Sequence, residues 1–363
     1  MFNKQREVKA MATTQLVYDV LGVGISAVDD TLTVESYPQS GAKVAVQSSA
    51  RHGGGLACTA IAAVAVLGGK TAFIARFGTD DLSDYIRSNL LQRGVDVSHI
   101  ISDTLSQPYH SRIVIDRATG ERTILYDLSR YKPVQAADVS DELLASARVL
   151  LVDFLNAPGP LELILKARRA NVPVVLDIEG QSAESASVLE HVDHLVVPEE
   201  FARWASGRQD LQAACAALAR IPRAGTVVTA GAAGCWWTDS PQRPPMHFPA
   251  FAVKAVNTNG CGDTFHGAYA LAIAMNFSIG EAVCFASASA AIKAAASGGG
   301  WDALPSAAQV MGFLHQRLHV DDPLRKVLGK LEPLISRGLA PVAATADRES
   351  LEMFQETPEE REK

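Results

Sequence analysis

The sequence contains no C-x-x-C pair, no phosphate-loop motif G-x-x-x-x-G-K-[ST], no internal repeat and no low-complexity tract. Its five cysteines (58, 215, 235, 261 and 284) are scattered without metal-like spacing, which argues against a cysteine metal site and fits reduced thiols in the cytoplasm. No apolar run approaches the roughly 20 residues of a membrane span. The start, MFNKQREVKAMATTQ, has a charged head but no apolar core, so it does not read as a secretion signal. Met11 is a second candidate start, and residues 1–16 read as a disordered leader. Basic charge is not in excess. Lys and Arg number 33 against 40 Asp and Glu, and a net charge of −7 argues against nucleic acid or an anionic membrane as the main partner. A phosphate ligand stays open, because backbone amides at a helix start hold one without any basic side chain.

What is present is an ordinary globular composition over 363 residues, 48% hydrophobic and 20% charged. Short apolar runs bounded by Gly, Pro or Asp recur: VYDVLGVGI, KTAFIARFG, ARVLLVDF, VPVVLDI, DHLVVP and GTVVTAG. They read as buried strands of a mainly parallel sheet. Helical periodicity fills the intervals 55–68, 80–93, 160–170, 184–190, 199–220, 263–275 and 280–296. The alternation predicts βαβ units in a layered α/β domain. Two stretches break it. Residues 31–50 and 109–126 alternate polar and apolar residues around turns, so they read as antiparallel hairpins forming a small lid beside the core. Residues 319–363 read as an appended helical tail with a frayed, charged end.

The stretch with the sharpest chemistry is NTNGCGDTFHG at 257–267, expected to follow a strand FAVKAV and to open a helix. Gly260, Cys261 and Gly262 are small enough for a tight turn that presents consecutive N–H groups at a helix start, an anion hole. Asp263 beside it has two readings: a helix cap, or a base that takes a proton from a hydroxyl attacking phosphorus. Three other stretches bear on the choice. RHGGGLACTAIAAVAVLGG (51–69) is a glycine cluster opening a small-residue helix. VVTAGAAGCWW (227–237) ends a strand in Thr229-x-Gly231-x-x-Gly234, a rim suited to a nucleotide. ASASAAIKAAASGGG (286–300) is a small-residue helix ending in three glycines, which lets backbone crowd a ligand or a neighbouring helix.

In order and spacing these segments resemble the ribokinase-like (PfkB) carbohydrate kinases over residues 17–318, with a leaning to the ketose-type branch. GGGLACTAIAAVAVLGG is similar to the family's first signature and NTNGCGDTFHGAYA to its second. The resemblance implies a three-layer α/β/α sandwich with a β lid that often makes a dimer contact, and ATP- and Mg²⁺-dependent phosphorylation of a sugar hydroxymethyl group. It implies Asp263 as catalytic base, with the amides of Gly260, Cys261 and Gly262 as anion hole. It further implies Asp29, Gly53 and Gly54 on the sugar, and Thr229 and Gly231 at the nucleotide. Arg112, His52 and His110 are added as candidates on the sugar side, and Asp153 and Asn156 as strand-end residues facing ligand. Departures from the family pattern are Cys58 in place of a sugar-contacting Asn, and Pro198-Glu199-Glu200-Phe201 in place of a magnesium-organising Asn-x-x-Glu. Asn257 and Asn259 fall near the family's monovalent-cation site, so a monovalent-cation requirement stays open. A nucleoside acceptor, or a catalytically weakened sugar or nucleotide sensor, remains the alternative. A dinucleotide fold from Gly22-x-Gly24-x-x-Ala27 is excluded by the strand-like, proline-containing VDDTLTVESYP that follows.

Overall fold

The computed structural model describes residues 15–337 apart from 120, 155–159 and 320. Its strands are, in chain order, β1 (Tyr18–Val23), β2 (Ala27–Val34), β3 (Ser48–Gly54), β4 (Thr71–Ile74), β5 (Arg76–Phe77), β6 (Ile101–Ser102), β7 (Tyr109–Asp116), β8 (Arg122–Asp127), β9 (Ala147–Phe154), β10 (Val174–Ile178), β11 (His194–Pro198), β12 (Gly225–Thr229), β13 (Cys235–Thr238) and β14 (Met246–Phe248). The helices are α1 (Leu56–Val66), α2 (Asp81–Gln92), α3 (Asp141–Ala145), α4 (Pro160–Arg169), α5 (Ala183–Val188), α6 (Glu199–Ser206), α7 (Leu211–Leu218), α8 (Cys261–Ala274), α9 (Ile279–Ala295), α10 (Ala307–His315) and α11 (Val327–Arg337).

Eight strands form the central sheet in the order β14-β13-β12-β11-β10-β9-β1-β4, parallel from β12 to β4. Successive side chains of a strand point to opposite faces. Val20, Val149, Leu151, Val175, Val196 and Val227 accordingly enter one core with α1, α8, α9, α10 and α11. Leu21, Leu150, Val152, Leu176, Leu195 and Val228 enter the other with α4, α6 and α7. The result is the expected three-layer α/β/α sandwich. Trp236 and Trp237, adjacent on β13, divide between the two cores.

The chain leaves β1 for β4 on one side and later returns to place β9 on the other side of β1. That reversal is a topological switch point, and open α/β sheets bind ligands just beyond the carboxyl ends of strands there. A pocket lies at this point, lined by Gly24, Ile25, Tyr131, Pro133, Asp153 and Leu163.

The two predicted hairpins share one four-stranded sheet, β3-β2-β7-β8. It differs from an all-antiparallel lid because its central pair, β2 and β7, runs parallel. Its first hairpin also begins at Ala27 and ends at Gly54, so Asp29, Gly53 and Gly54 lie on the lid itself. Three further expectations are corrected. FAVKAV forms no strand; residues 251–256 run along the end of α9, where the amides of Val256 and Asn257 donate to Ala294 O at 2.7 and 3.1 Å. The single helix expected over 199–220 is two, α6 and α7, because Gly207 adopts the left-handed φ of 66° that ends α6. The described part of the expected tail is not a mere appendage, since α11 buries Val327, Leu331 and Leu334 in the core.

One close approach fixes where α8 lies. A methyl group on Gly267 would sit 2.2 Å from the carbonyl oxygen of Ala60 in α1, so α1 and α8 touch backbone to side-chain-free backbone. Gly267→Ala must separate them, and we expect a loss of about 1–3 kcal/mol, the usual cost of overpacking, read from the shift in a denaturant midpoint. An unchanged midpoint would show that the two helices slide apart freely.

Candidate active site

The N-terminus of α8 is built by Gly260, whose φ of 73° reverses the chain at the helix cap. The amide of Asn259 donates to its neighbour Asn257 Oδ1 at 2.9 Å, and Thr264 donates both N–H and Oγ1–H to Gly260 O, at 3.0 and 2.7 Å. Among the described residues the amides of Gly260, Gly262 and Asp263 donate to no protein group. Cys261 differs from expectation: its amide is engaged, at 3.3 Å, by Thr258 O in the turn. The unpaired donors stand at the positive end of a 14-residue helix, and among them Asp263 N–H takes the place expected for the Cys261 one. The Cys261 thiol packs toward Asn257 O, and burial pushes its pKa up.

Asp263 is not a helix cap. α8 has no side-chain cap hydrogen bond, and among the described residues the Asp263 carboxylate has no hydrogen-bond partner. Burial pushes its pKa well above the ordinary carboxylate range, and the charges of Asp177, Glu179, Asp153 and Asp29 push it further. Raised basicity in a carboxylate left unpaired among the described residues is what a proton acceptor needs.

Those four acids come from three places: β9, β10 with the residue just past it, and the lid strand β2. Asp153 lies next to the end of β9, and its Oδ2 accepts the amides of Ile25 and Ala57, both at 2.8 Å. It therefore staples the β1–β2 link to the start of α1, and burial raises its pKa to about 7 despite the two N–H donors. Asn156, its companion candidate, lies outside the described residues. Asp177 on β10 sits with Oδ2 3.3 Å from His266 Nδ1, without an aligned hydrogen bond. His266 itself reaches Gly262 O (Nδ1, 2.9 Å) and Val196 O (Nε2, 3.0 Å), tying the first turn of α8 to β11. Burial holds its pKa down. Glu179, just past β10, is exposed and makes no ion pair among the described residues.

Asp29 comes from the lid. In register it lies beside His52 on β3 and Ser111 on β7, and laterally paired residues share a sheet face. Burial raises its pKa, while Ser111 and His52 lower it. Gly54 leaves room for this carboxylate: a methyl group there would lie 2.4 Å from Asp29 Oδ2. Gly53 has another neighbour, since its Cα faces the ring of Trp301, whose Nε1 donates to Thr59 Oγ1 at 2.9 Å. His52 is wedged beneath Gly299 and Gly300, which explains that glycine run as packing space for β3.

Arg112 and His110 do not join Asp29. Arg112 pairs with Asp30, one residue on, so it projects from the opposite lid face, where it is exposed. His110 is bound on its own to Asp30, Nε2 to Oδ2, at 2.7 Å. Cys58 is fully buried, with its thiol pKa raised by burial, so it packs beneath the site. On the nucleotide side, Thr229 ends β12 and donates Oγ1–H to Val197 O at 3.4 Å. Gly231, at φ 51°, faces open space, whereas Gly234 is held tight against Phe248 O in the β12–β13 turn. The 198–201 stretch is committed elsewhere. Phe201 is buried in the core and Glu199 is bonded to Arg203 at 2.6 Å, leaving Glu200 exposed.

Sequence reasoning passed over Lys293, His266, Asp177 and Glu179. Lys293 carried one signal, being the sole charge between Ala282 and Trp301.

Residues 19–306 match the family described as pfkB family carbohydrate kinase. Mouse ketohexokinase is 23% identical over 281 residues, 73% of this chain and 92% of its own length. Ribokinase from Staphylococcus aureus is 27% identical over 262 residues, 69% and 84% of the two chains. Among solved structures, Arabidopsis thaliana ribokinase complexed with ribose and ATP superposes with a TM-score of 0.72 at 20% identity, covering 84% of this chain and 100% of that one. Thermotoga maritima ribokinase gives 0.70 at 24%, covering 82% and 98%. At those identities the two superpositions speak for the fold alone. The family match, by contrast, spans the lid, the sheet and the amide-rich start of α8 together, and the chain therefore belongs to the pfkB family of carbohydrate kinases, a phosphoryl-transferring enzyme.

Proposed function

We propose that this enzyme transfers the terminal phosphoryl group of ATP to a hydroxymethyl group of a sugar. The observation that carries the reading is the basic carboxylate of Asp263, unpaired among the described residues, directly beside amides that are likewise free among them at the positive end of α8. Asp263 takes the hydroxyl proton as the oxygen attacks phosphorus. The amides of Gly260, Gly262 and Asp263 hold the phosphoryl oxygens, where fixed donors in a dry site stabilise developing charge more than water does. Asp29, on the lid beside Gly54, accepts hydrogen bonds from sugar hydroxyls. ATP lies toward Thr229, open Gly231 and the end of α9.

Mg²⁺ fits the donor set at Glu179, which is exposed, unpaired among the described residues and close enough for its charge to act on Asp263; at 198–201 Glu199 and Phe201 are committed and Glu200 alone is exposed. Bound to nucleotide phosphates, it would neutralise charge on the transferring group, using one or two carboxylates as magnesium commonly does.

The test is ADP release over a panel of ketoses, aldoses, sugar acids and nucleosides. Turnover on a sugar supports the reading, and turnover only on a nucleoside would move the acceptor class. Silence across the panel with thermal stabilisation by ATP or a sugar would favour a sensor, with 198–201 as the altered part.

The lid also supports a homodimer. Outer strand β8 is exposed along its whole length, including Ile124, Leu125 and Tyr126, an apolar edge of the sort that pairs with another chain. Light scattering should give a dimer mass for the wild type and a monomer for Leu125→Asp; a wild-type monomer would remove this interface.

A further inference from the structure

α9 ends beside the anion hole and carries one charge there. Lys293 is 1% exposed, and its Nζ donates to Asn259 O at 3.0 Å. Asn259 is the residue immediately before the Gly260 cap. A methyl group placed on Gly260 would lie 3.9 Å from Lys293 Cε and 3.9 Å from Asp263 Oδ2, so the two side chains flank the same turn. The next residue of α9, Ala294, accepts the amides of Val256 and Asn257, so the last turn of this helix grips the loop at several points just before the bend at Gly260.

Burying an ammonium costs free energy unless a charge or dipole compensates it. Burial lowers the Lys293 pKa, while Cys261 and Asp263 act against that fall. The cation also lies in the last turn of α9, where the carbonyl end of the helix dipole favours positive charge. A residue that only filled space here would not need the charge.

We propose that Lys293 is a positioning residue whose ammonium serves as a built-in monovalent cation, locking the Asn259 carbonyl so that the Gly260 and Gly262 amides stay aimed at the transferring phosphoryl group. The proposal rests on the phosphoryl-transfer reading above. Its consequence is that the wild-type enzyme works without an added monovalent metal ion, whereas removal of the side chain leaves a cation-sized space that a small free cation fills.

The experiment compares wild type with Lys293→Ala, Lys293→Met and Lys293→Arg in choline buffer, then with potassium, sodium, ammonium or methylammonium chloride added. Wild-type turnover should be indifferent to the salt chosen. Lys293→Ala should lose about a hundredfold in kcat with little change in the sugar KM, the scale of disturbing one anion-hole donor. Ammonium, methylammonium or potassium should restore at least about a tenfold part of that loss to the alanine variant. Methionine, which fills the space without charge, should stay low and unrescued, and arginine should keep part of the activity.

A thermal melt of the same proteins gives a readout that does not depend on turnover. Ammonium or potassium should raise the melting temperature of Lys293→Ala above its value in choline, and should leave the wild type unmoved. If wild type turns over no substrate, the functional reading fails and the melt alone decides the cation role. Near-native kcat in the alanine or methionine variant, or a folded alanine variant that no small cation rescues or stabilises, would overturn the proposal. Should the alanine variant not fold, the methionine variant against arginine decides it: equal kcat in those two would remove any role for the charge.

Discussion

Asp263→Asn should lower kcat by about 10³-fold or more, the scale of a lost proton acceptor together with its positioning, while the protein melts no lower than wild type at neutral pH. The two halves follow from one geometry. Asn fills the same volume but accepts no proton at neutral pH. Burial, followed by Asp177, Glu179, Asp153 and Asp29, pushes the Asp263 pKa well above its ordinary value. A carboxyl raised in this way favours the fold while protonated, and that contribution fades as pH rises through the folded pKa. The neutral amide therefore relieves a burden at pH 7. A variant that loses turnover and also loses stability would make Asp263 a structural residue. One that keeps near-native kcat would place the base elsewhere.

Glu281→Gln should cost about 2 kcal/mol of stability, and the effect should vanish in acid. Glu281 lies in the first turn of α9 and is 1% exposed. It accepts from Ser278 N and Oγ at 2.6 and 2.7 Å and from Lys330 Nζ of α11 at 2.9 Å, with Lys326 at 3.5 Å. Burial alone would raise its pKa, but the hydrogen bonds from Lys330 and Ser278 override that and bring it to about 2. A depressed carboxyl supports the fold fully above its unfolded value of 4.5 and loses that support as pH falls toward 2. Removing one member of a buried ion pair leaves the rest poorly compensated, which sets the scale. Chemical melts of both proteins from pH 7 down to pH 2 read this directly: the gap should start to narrow below 4.5 and close as pH approaches about 2. A gap independent of pH would mean that shape, not charge, ties α11 to α9. The second tie, Arg337 to Asp19 Oδ2 at 3.1 Å, is untouched by the change.

The buried parallel strands were legible because a strand covered on both faces must be apolar throughout, as VLLV of β9 and VVL of β10 are. The start of α8 was legible because three small residues before an acid leave the backbone few alternatives. FAVKAV misled because its alternation also suits an irregular segment whose amides are taken by Ala294. The lid's ends were misplaced because Gly53 and Gly54 look like a turn, yet here they stand in a strand to admit Trp301 and the Asp29 carboxylate. Arg112 could not be placed, since which face a strand residue takes depends on a register that only pairing fixes. Convergence was the least legible property of all. Asp177 and Glu179 stand at the end of β10, far from Asp263 in sequence, and Lys293 lies on the following helix; the sheet order and the packing of α9 bring them to the start of α8.

The most direct measurement is a crystal structure with ADP, an aluminium fluoride mimic of the phosphoryl group and the accepted sugar. The account predicts the mimic at the start of α8, its fluorides about 2.7–3.1 Å from the amides of Gly260 and Gly262, as transition-state donors require. It also predicts the acceptor hydroxyl on an Asp263 carboxylate oxygen, with Asp29 on the same sugar. A mimic bound away from that helix end, or an acceptor hydroxyl out of reach of Asp263, would contradict it.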